Sequence, residues 1–273
     1  LIPMALAMSA RALPMYAGLE PFPKGILWIA ALSYAAGLAL TVAGTALTSS
    51  TTRWLNGWAA SVVGLGFVLM GIVLLVFTGI FMRTMRSRGR LPARVASLAP
   101  SPQAATHTYV ARVKQERGSY GPFVALVASA YLWATLGGIL LLVDGFAMLI
   151  GQAPPVALDA ARHALALGFI ALLICGVAPR MLPGFSGGHI VSPKLVHATL
   201  WLGNGASILR VGSLLVAPLL AGVDTGSTLD TLAFGLSGPI GLALAICLLI
   251  NLWPAIWPTR RAQSPVQSPA QSA

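Results

Sequence analysis

Two histidines lie in apolar stretches of the sequence, where an ionisable side chain is costly and therefore a candidate for function. His163 follows Asp159 by four residues, so the two side chains share one face of a helix. We expect the Asp159 carboxylate to accept a hydrogen bond from one ring nitrogen, which leaves the other nitrogen to bind a metal. His197 is the second candidate, with Trp201 one turn further along its face. The spacing thus points to metal binding by histidine.

The two histidines are too far apart to ligate one iron. From His163 to Arg180 the chain has 17 residues, or about 26 Å along a helix axis, and His197 begins the next apolar run at the Arg180 end. If both bind metal, they serve two sites, or each pairs with a ligand elsewhere.

Further charged residues at the depth of His163 are Asp144, Arg162 and Arg210. We assign Asp159, Arg162 and Arg210 to the surroundings of the metal ligand. The structural alternative is a network in which Asp159 pairs with Arg162 or Arg210 and only holds helices together.

An internal repeat carries two arginines. Residues 11–18 (RALPMYAG) recur as residues 180–187 (RMLPGFSG), with arginine, leucine, proline, an aromatic residue and glycine in register. Proline is expected to end each helix, and Arg11 and Arg180 either meet lipid headgroups or hold an anion such as a haem propionate. The match indicates a duplicated architecture with six helices per unit.

The elements that must position these residues are membrane-spanning helices. Hydrophobic residues make up 57% of the 273 residues and charged residues 8%, with a mean hydropathy of +0.83. Continuous apolar runs, each long enough to span a bilayer, cover residues 25–47, 58–82, 122–150, 157–177, 195–220 and 229–257. Residues 1–10 resemble the end of a helix already under way, from which we infer preceding sequence. The sequence predicts an all-α polytopic bundle of about six spans plus the end of a seventh, half of a duplicated architecture.

Basic residues set the expected orientation. Of the 17 lysines and arginines, all lie on one side except Arg53 in an opposite loop and Arg162 and Arg210 within spans. The positive-inside rule makes the basic side cytoplasmic and accounts for the net charge of +11 without a nucleic-acid partner. We divide the chain into residues 1–82 (end of the first repeat and two spans), 83–119 (basic cytoplasmic loop), 120–257 (four-span core of the second repeat) and 258–273 (disordered cytoplasmic tail).

A family resemblance rests on the stretches His163–Phe169 and Gly176–Gly187, followed by His197 and Trp201. They resemble the NnrS family, and residues 11–16 resemble the corresponding signature of its first half. Those proteins are larger, polytopic proteins of the bacterial inner membrane that contain haem and copper and are linked to nitric oxide metabolism and nitrosative stress. The resemblance implies haem, and copper beside it, with nitric oxide as a small ligand. His163 and His197 are then the metal ligands, and Arg180 and Arg11 the partners of the cofactor.

Two other functions remain open from the residues alone. Internal repeats with polar groups inside the membrane are common in secondary transporters, although these copies have the same orientation. The third alternative is a structural subunit of a respiratory membrane complex. Turnover of nitric oxide, sensing of it and protection of other metalloproteins all fit the resemblance, and the sequence names no protein partner.

Overall fold

The computed structural model describes residues 1–16, 22–48, 53–86, 118–216 and 224–257, and its secondary structure in these ranges is helical, without a strand. The helices are α1 (Ile2–Tyr16), α2 (Lys24–Thr48), α3 (Arg53–Arg86), α4 (Phe123–Leu149), α5 (Leu158–His163), α6 (Leu172–Ser186), α7 (Pro193–Val216) and α8 (Asp224–Ile256). A π-helix (Ala164–Ala171) joins α5 to α6. The predicted all-α polytopic bundle is therefore confirmed.

Five of the six expected spans are long and apolar enough to cross a membrane, in helices α2, α3, α4, α8 and the continuous α5–π–α6 segment. The remaining helix, α7, has 24 residues but is not among the five. Its sequence includes His197, Asn204 and Arg210, which lower its mean hydropathy. Residues 217–220, expected to complete this span, lie outside the described residues, as do residues 87–117 of the basic loop and the 258–273 tail.

Successive long helices run in opposite directions, which gives the bundle two distinct ends. The Arg180 end holds the last turns of α6 and α8, where the backbone N–H of Ser192 donates to Asn251 Oδ1 at 2.9 Å. The Arg210 end holds the end of α4, the start of α5 and the last turns of α7. Helix packing follows the order α2, α3, α4, then α5–π–α6, α7 and α8, and α1 contacts α2 and α3.

A fully buried tyrosine connects several helices at the centre of the bundle. The Tyr131 ring in α4 stacks on Phe81 of α3, with the centroids 3.8 Å apart, and meets the edge of Phe169 in the π-helix at 5.4 Å. Its hydroxyl donates to Ser9 Oγ of α1 at 2.6 Å, so the one polar atom of the ring is satisfied. This side chain therefore connects four elements, and its own hydroxyl group is paired.

The proline of each repeat copy lies inside a helix, contrary to the expectation that it ends one. Helix α6 passes Pro183 and stops at Ser186, and α1 passes Pro14 and stops at Tyr16. Each proline removes one N–H donor, and the helix continues for at most three residues beyond it. Gly187 ends α6 instead, with a positive φ of 69° and its N–H bonded to the Pro183 carbonyl at 3.0 Å.

Candidate functional site

The π-helix begins directly after His163 and widens the fourth span where it faces α4. A π-helix is rare and often marks a functional site, because each extra residue in the turn changes the direction of the side chains around it. Gly168 in this segment lies against the Trp133 side chain of α4, and a Cβ at Gly168 would overlap the indole ring. The π-helix thus brings the backbone close to a large aromatic side chain at Gly168, five residues beyond His163.

The His163 ring is held by its own helix, through a partner different from the expected one. Nδ1 lies 2.7 Å from the backbone carbonyl oxygen of Asp159, the residue one turn before it. The prediction that the Asp159 carboxylate holds the ring was wrong. The carboxylate instead pairs with Arg162 at 3.1 Å, and both of these side chains are more than half exposed.

Arg210 of α7 forms a hydrogen bond with the other nitrogen of the same ring. Its Nε–H donates to His163 Nε2 at 3.2 Å, and its Cζ lies 3.5 Å from the centroid of the Phe234 ring of α8. Because a carbonyl accepts from Nδ1 and a guanidinium donates to Nε2, the pattern is that of a neutral imidazole protonated at Nδ1. The structure therefore brings together two of the residues that the sequence singled out, and adds Phe234.

Asp144 is a second polar group at the Arg210 end. It is 0% exposed, and its Oδ1 accepts from the backbone N–H of Val156 at 3.1 Å. Its Oδ2 has no hydrogen-bond partner among the described residues. Asp144 thus connects the end of α4 to the segment before α5, and no ion pair joins it to a described basic residue.

His197 in α7 repeats the local geometry of His163. Its Nδ1 lies 3.1 Å from the carbonyl oxygen of Pro193, again the residue one turn earlier. The ring is exposed on the outside of the bundle, and Trp201 on the same face is 75% exposed. The two histidines share a ring orientation fixed by a backbone carbonyl, and the Nε2 of His197 has no partner among the described residues.

The two histidines belong to separate places, as their spacing predicted. Arg210, which contacts His163, lies 13 residues after His197 on the same helix, or about 20 Å along its axis. No other described histidine, cysteine or carboxylate completes a group of three that could hold a metal ion.

Of the two arginines of the repeat, Arg180 has a described side chain. The guanidinium of Arg180 lies over the rings of Phe123 and Tyr120, with Cζ 4.9 and 5.9 Å from their centroids. Arg11 is part of α1, but its side chain lies outside the described part of the structure. Stacking on two aromatic rings orients the Arg180 cation at the end of the bundle where α7, with His197, begins.

Haem and copper differ in how well these residues fit them. Copper sites need several soft or imidazole ligands together, and the described residues offer no such group. Haem iron accepts a single protein ligand, and the anchored His197 ring fits this requirement with its Nε2. His163 fits less well, since iron at its Nε2 would have to displace the Arg210 guanidinium.

A polar network between α4 and α7 was not recognised from the sequence as part of the site. Asn204 Oδ1 accepts from Ser129 Oγ at 2.5 Å and from Trp133 Nε1 at 3.0 Å, while its Nδ2 donates to the Leu200 carbonyl at 2.8 Å. An asparagine inside an apolar helix was the available signal. The network also holds the indole ring of Trp133, which contacts Gly168 of the π-helix.

Against known proteins, the chain gives no match to a family model, a curated protein or a solved structure.

Proposed function

We propose that this chain is a haem-binding multi-pass membrane protein of the NnrS type that acts in nitric oxide metabolism or in the relief of nitrosative stress. The proposal places it in the bacterial inner membrane with the Arg180 end in the cytoplasm. Its support is the sequence resemblance and one structural observation, the anchored ring of His197. Copper is not part of the proposal, because the described residues supply no ligand group for it.

The orientation of the His197 ring carries the proposal. Hydrogen bonding of Nδ1 to the Pro193 carbonyl at 3.1 Å selects the tautomer whose lone pair is on Nε2, the form in which histidine ligates iron. The exposed Trp201 ring offers an apolar aromatic surface on the same helix face. Arg180, at the same end of the bundle, supplies a cation for a carboxylate of the macrocycle. Haem, when bound, supplies an iron that coordinates a diatomic ligand such as nitric oxide.

The test is the visible absorption spectrum of the full chain purified in a mild detergent from haem-sufficient cells. We expect a Soret band in the wild-type protein and in the variants His163→Ala and His189→Ala, and loss of the band in His197→Gly. His189 is the matched control because it is an exposed histidine in the loop after α6. Added imidazole should restore the band in His197→Gly, since it can fill the space of the missing ring and ligate the iron.

Two outcomes would overturn the proposal. The first is a colourless wild-type preparation with no haem in a pyridine haemochrome assay. The second is a Soret band that survives His197→Gly, because His197 would then not be the ligand of the iron.

Transport is the second candidate function. It is favoured by the cluster of polar side chains at the Arg210 end of the bundle. The buried carboxyl group of Asp144 lies at this end, as do His163, which directly precedes the π-helix, and its partner Arg210. Secondary transporters bind substrates at polar groups of this kind within the membrane. Solute flux into proteoliposomes that contain haem-free protein, abolished by Asp144→Asn, would favour this function over haem binding.

A further inference from the structure

Arg210 is a cation placed inside a membrane-spanning bundle without a described counter-ion. Its side chain is half-buried, and its guanidinium makes one hydrogen bond to a described residue, from Nε to Nε2 of His163. The ring of Phe234 covers one face of the group at 3.5 Å. A charge in an apolar environment is costly unless an anion or several hydrogen bonds compensate for it.

The nearby described carboxylates are engaged elsewhere. Asp159 pairs with Arg162 on the exposed side of α5, at 3.1 Å. Asp144 receives its hydrogen bond from Val156 and makes no ion pair with Arg210. The charge of Arg210 is therefore not balanced by the acids of α4 and α5.

The contacts that Arg210 does make hold it in one orientation. His163 is itself fixed by the Asp159 carbonyl at 2.7 Å, so the acceptor for Nε cannot rotate away. With Nε bonded and one face stacked, the N–H groups of the two Nη atoms have no acceptor among the described residues and remain as a pair of donors. Such a planar, preoriented fork matches an oxyanion with two acceptor oxygens.

We propose that Arg210, oriented by His163 and Phe234, is a binding site for a phosphate-like oxyanion at the Arg210 end of the bundle. Two sources share this chemistry: the phosphate of a phospholipid headgroup and a small soluble oxyanion. The site is separate from the proposed haem ligand His197, which lies at the opposite end of the same helix.

The experiment has one arm for each source, with the full chain in dodecyl maltoside. In the lipid arm, native mass spectrometry counts the phospholipids retained after incubation with phosphatidylglycerol, and a galactolipid without phosphate serves as the comparison. In the anion arm, the unfolding midpoint of delipidated protein is followed as sodium sulfate or phosphate is titrated against chloride at constant ionic strength.

The variants are Arg210→Gln, Arg210→Lys and, as the matched control, Arg162→Gln, which removes a cation at the same end that already has a partner. A lipid source predicts one phosphatidylglycerol retained by wild type and Arg162→Gln and lost from Arg210→Gln. A soluble source predicts a saturable rise of the midpoint in the same two proteins, with affinity weakened about tenfold or more in Arg210→Gln. Arg210→Lys keeps the charge without the fork and should bind more weakly than wild type.

Wild-type protein that retains no phospholipid and shows no oxyanion-dependent stabilisation overturns the proposal, whatever the variants do. Equal losses in Arg162→Gln and Arg210→Gln also overturn it, because the effect would then be a general surface charge. The variant Asp230→Asn, four residues before Phe234 in the sequence, explains the first of these results if it alone gains oxyanion binding, because the partner of Arg210 is then that carboxylate.

Discussion

Asn204 shows how a single polar residue holds two spans together. Its side-chain oxygen accepts two hydrogen bonds from α4, and its amide nitrogen donates to its own helix. Removal of one partner of such a group leaves the others unpaired in an apolar surrounding, and that penalty exceeds the net value of the bond itself. Loss of the acceptor should therefore lower the free energy of unfolding more than loss of either donor.

Asn204→Leu removes the shared acceptor and leaves the Ser129 hydroxyl and the Trp133 N–H without a partner. We expect a loss of about 1–3 kcal/mol in the free energy of unfolding, from the desolvation penalty of the stranded donors. Ser129→Ala removes one donor and leaves the acceptor occupied by Trp133, so its loss should be about 0.6 kcal/mol, the average for hydrogen bonds inside membranes. Unfolding in a mixed-detergent titration measures the free energy of unfolding of both variants. Equal decreases in the two variants would contradict this order.

At the scale of elements, glycines set how closely α3 and α4 approach. A Cβ on Gly64 would lie 2.8 Å from the Gly145 carbonyl oxygen, and a Cβ on Gly145 would lie 2.7 Å from the Gly64 carbonyl oxygen. Seven residues further along α3, Gly71 meets Gly138 in the same way, at 2.8 Å. Without a hydrophobic driving force in lipid, such close backbone packing is a main source of helix association.

Gly145→Ala tests this contact, since the added methyl group meets backbone that cannot turn aside. We expect destabilisation of about 1–3 kcal/mol, the usual cost of overpacking. Gly79→Ala on α3 is the matched control because no atom lies within 4 Å of its Cβ position. There the change should be neutral or stabilising by up to about 1 kcal/mol, since alanine favours a helix over glycine. The thermal midpoint of each purified variant measures the difference, and similar midpoints for both would show that the close approach is unimportant.

For the molecule as a whole, composition was sufficient to predict the fold class. The geometry of the side chains could not be predicted in this way. Long apolar runs allow only helices in a bilayer, so five spans follow directly from the sequence. The π-helix after His163 could not be predicted, because nothing in the apolar stretch Ala164–Ala171 distinguishes it from an α-helix, and its contact with Trp133 involves another helix. For the same reason the partner of His163 was wrongly expected to be a carboxylate: spacing places residues on a face but does not choose between side chain and carbonyl.

The orientation of the whole bundle remains a prediction, and it can be measured independently of any ligand. The sequence assigns 14 of the 17 lysines and arginines to the side of Arg180, which the positive-inside rule predicts to be cytoplasmic. In a background with Cys175→Ala and Cys247→Ala, we expect Gln152→Cys, exposed in the α4–α5 loop, to react with a membrane-impermeant maleimide in spheroplasts. His189→Cys, exposed in the α6–α7 loop at the other end, should react only after the membrane is opened. The cysteine-free parent is the blank for both. Labelling of His189→Cys in sealed spheroplasts, with Gln152→Cys protected, would show that the bundle has the opposite orientation. His197 and Arg180 would then lie on the outer side of the membrane.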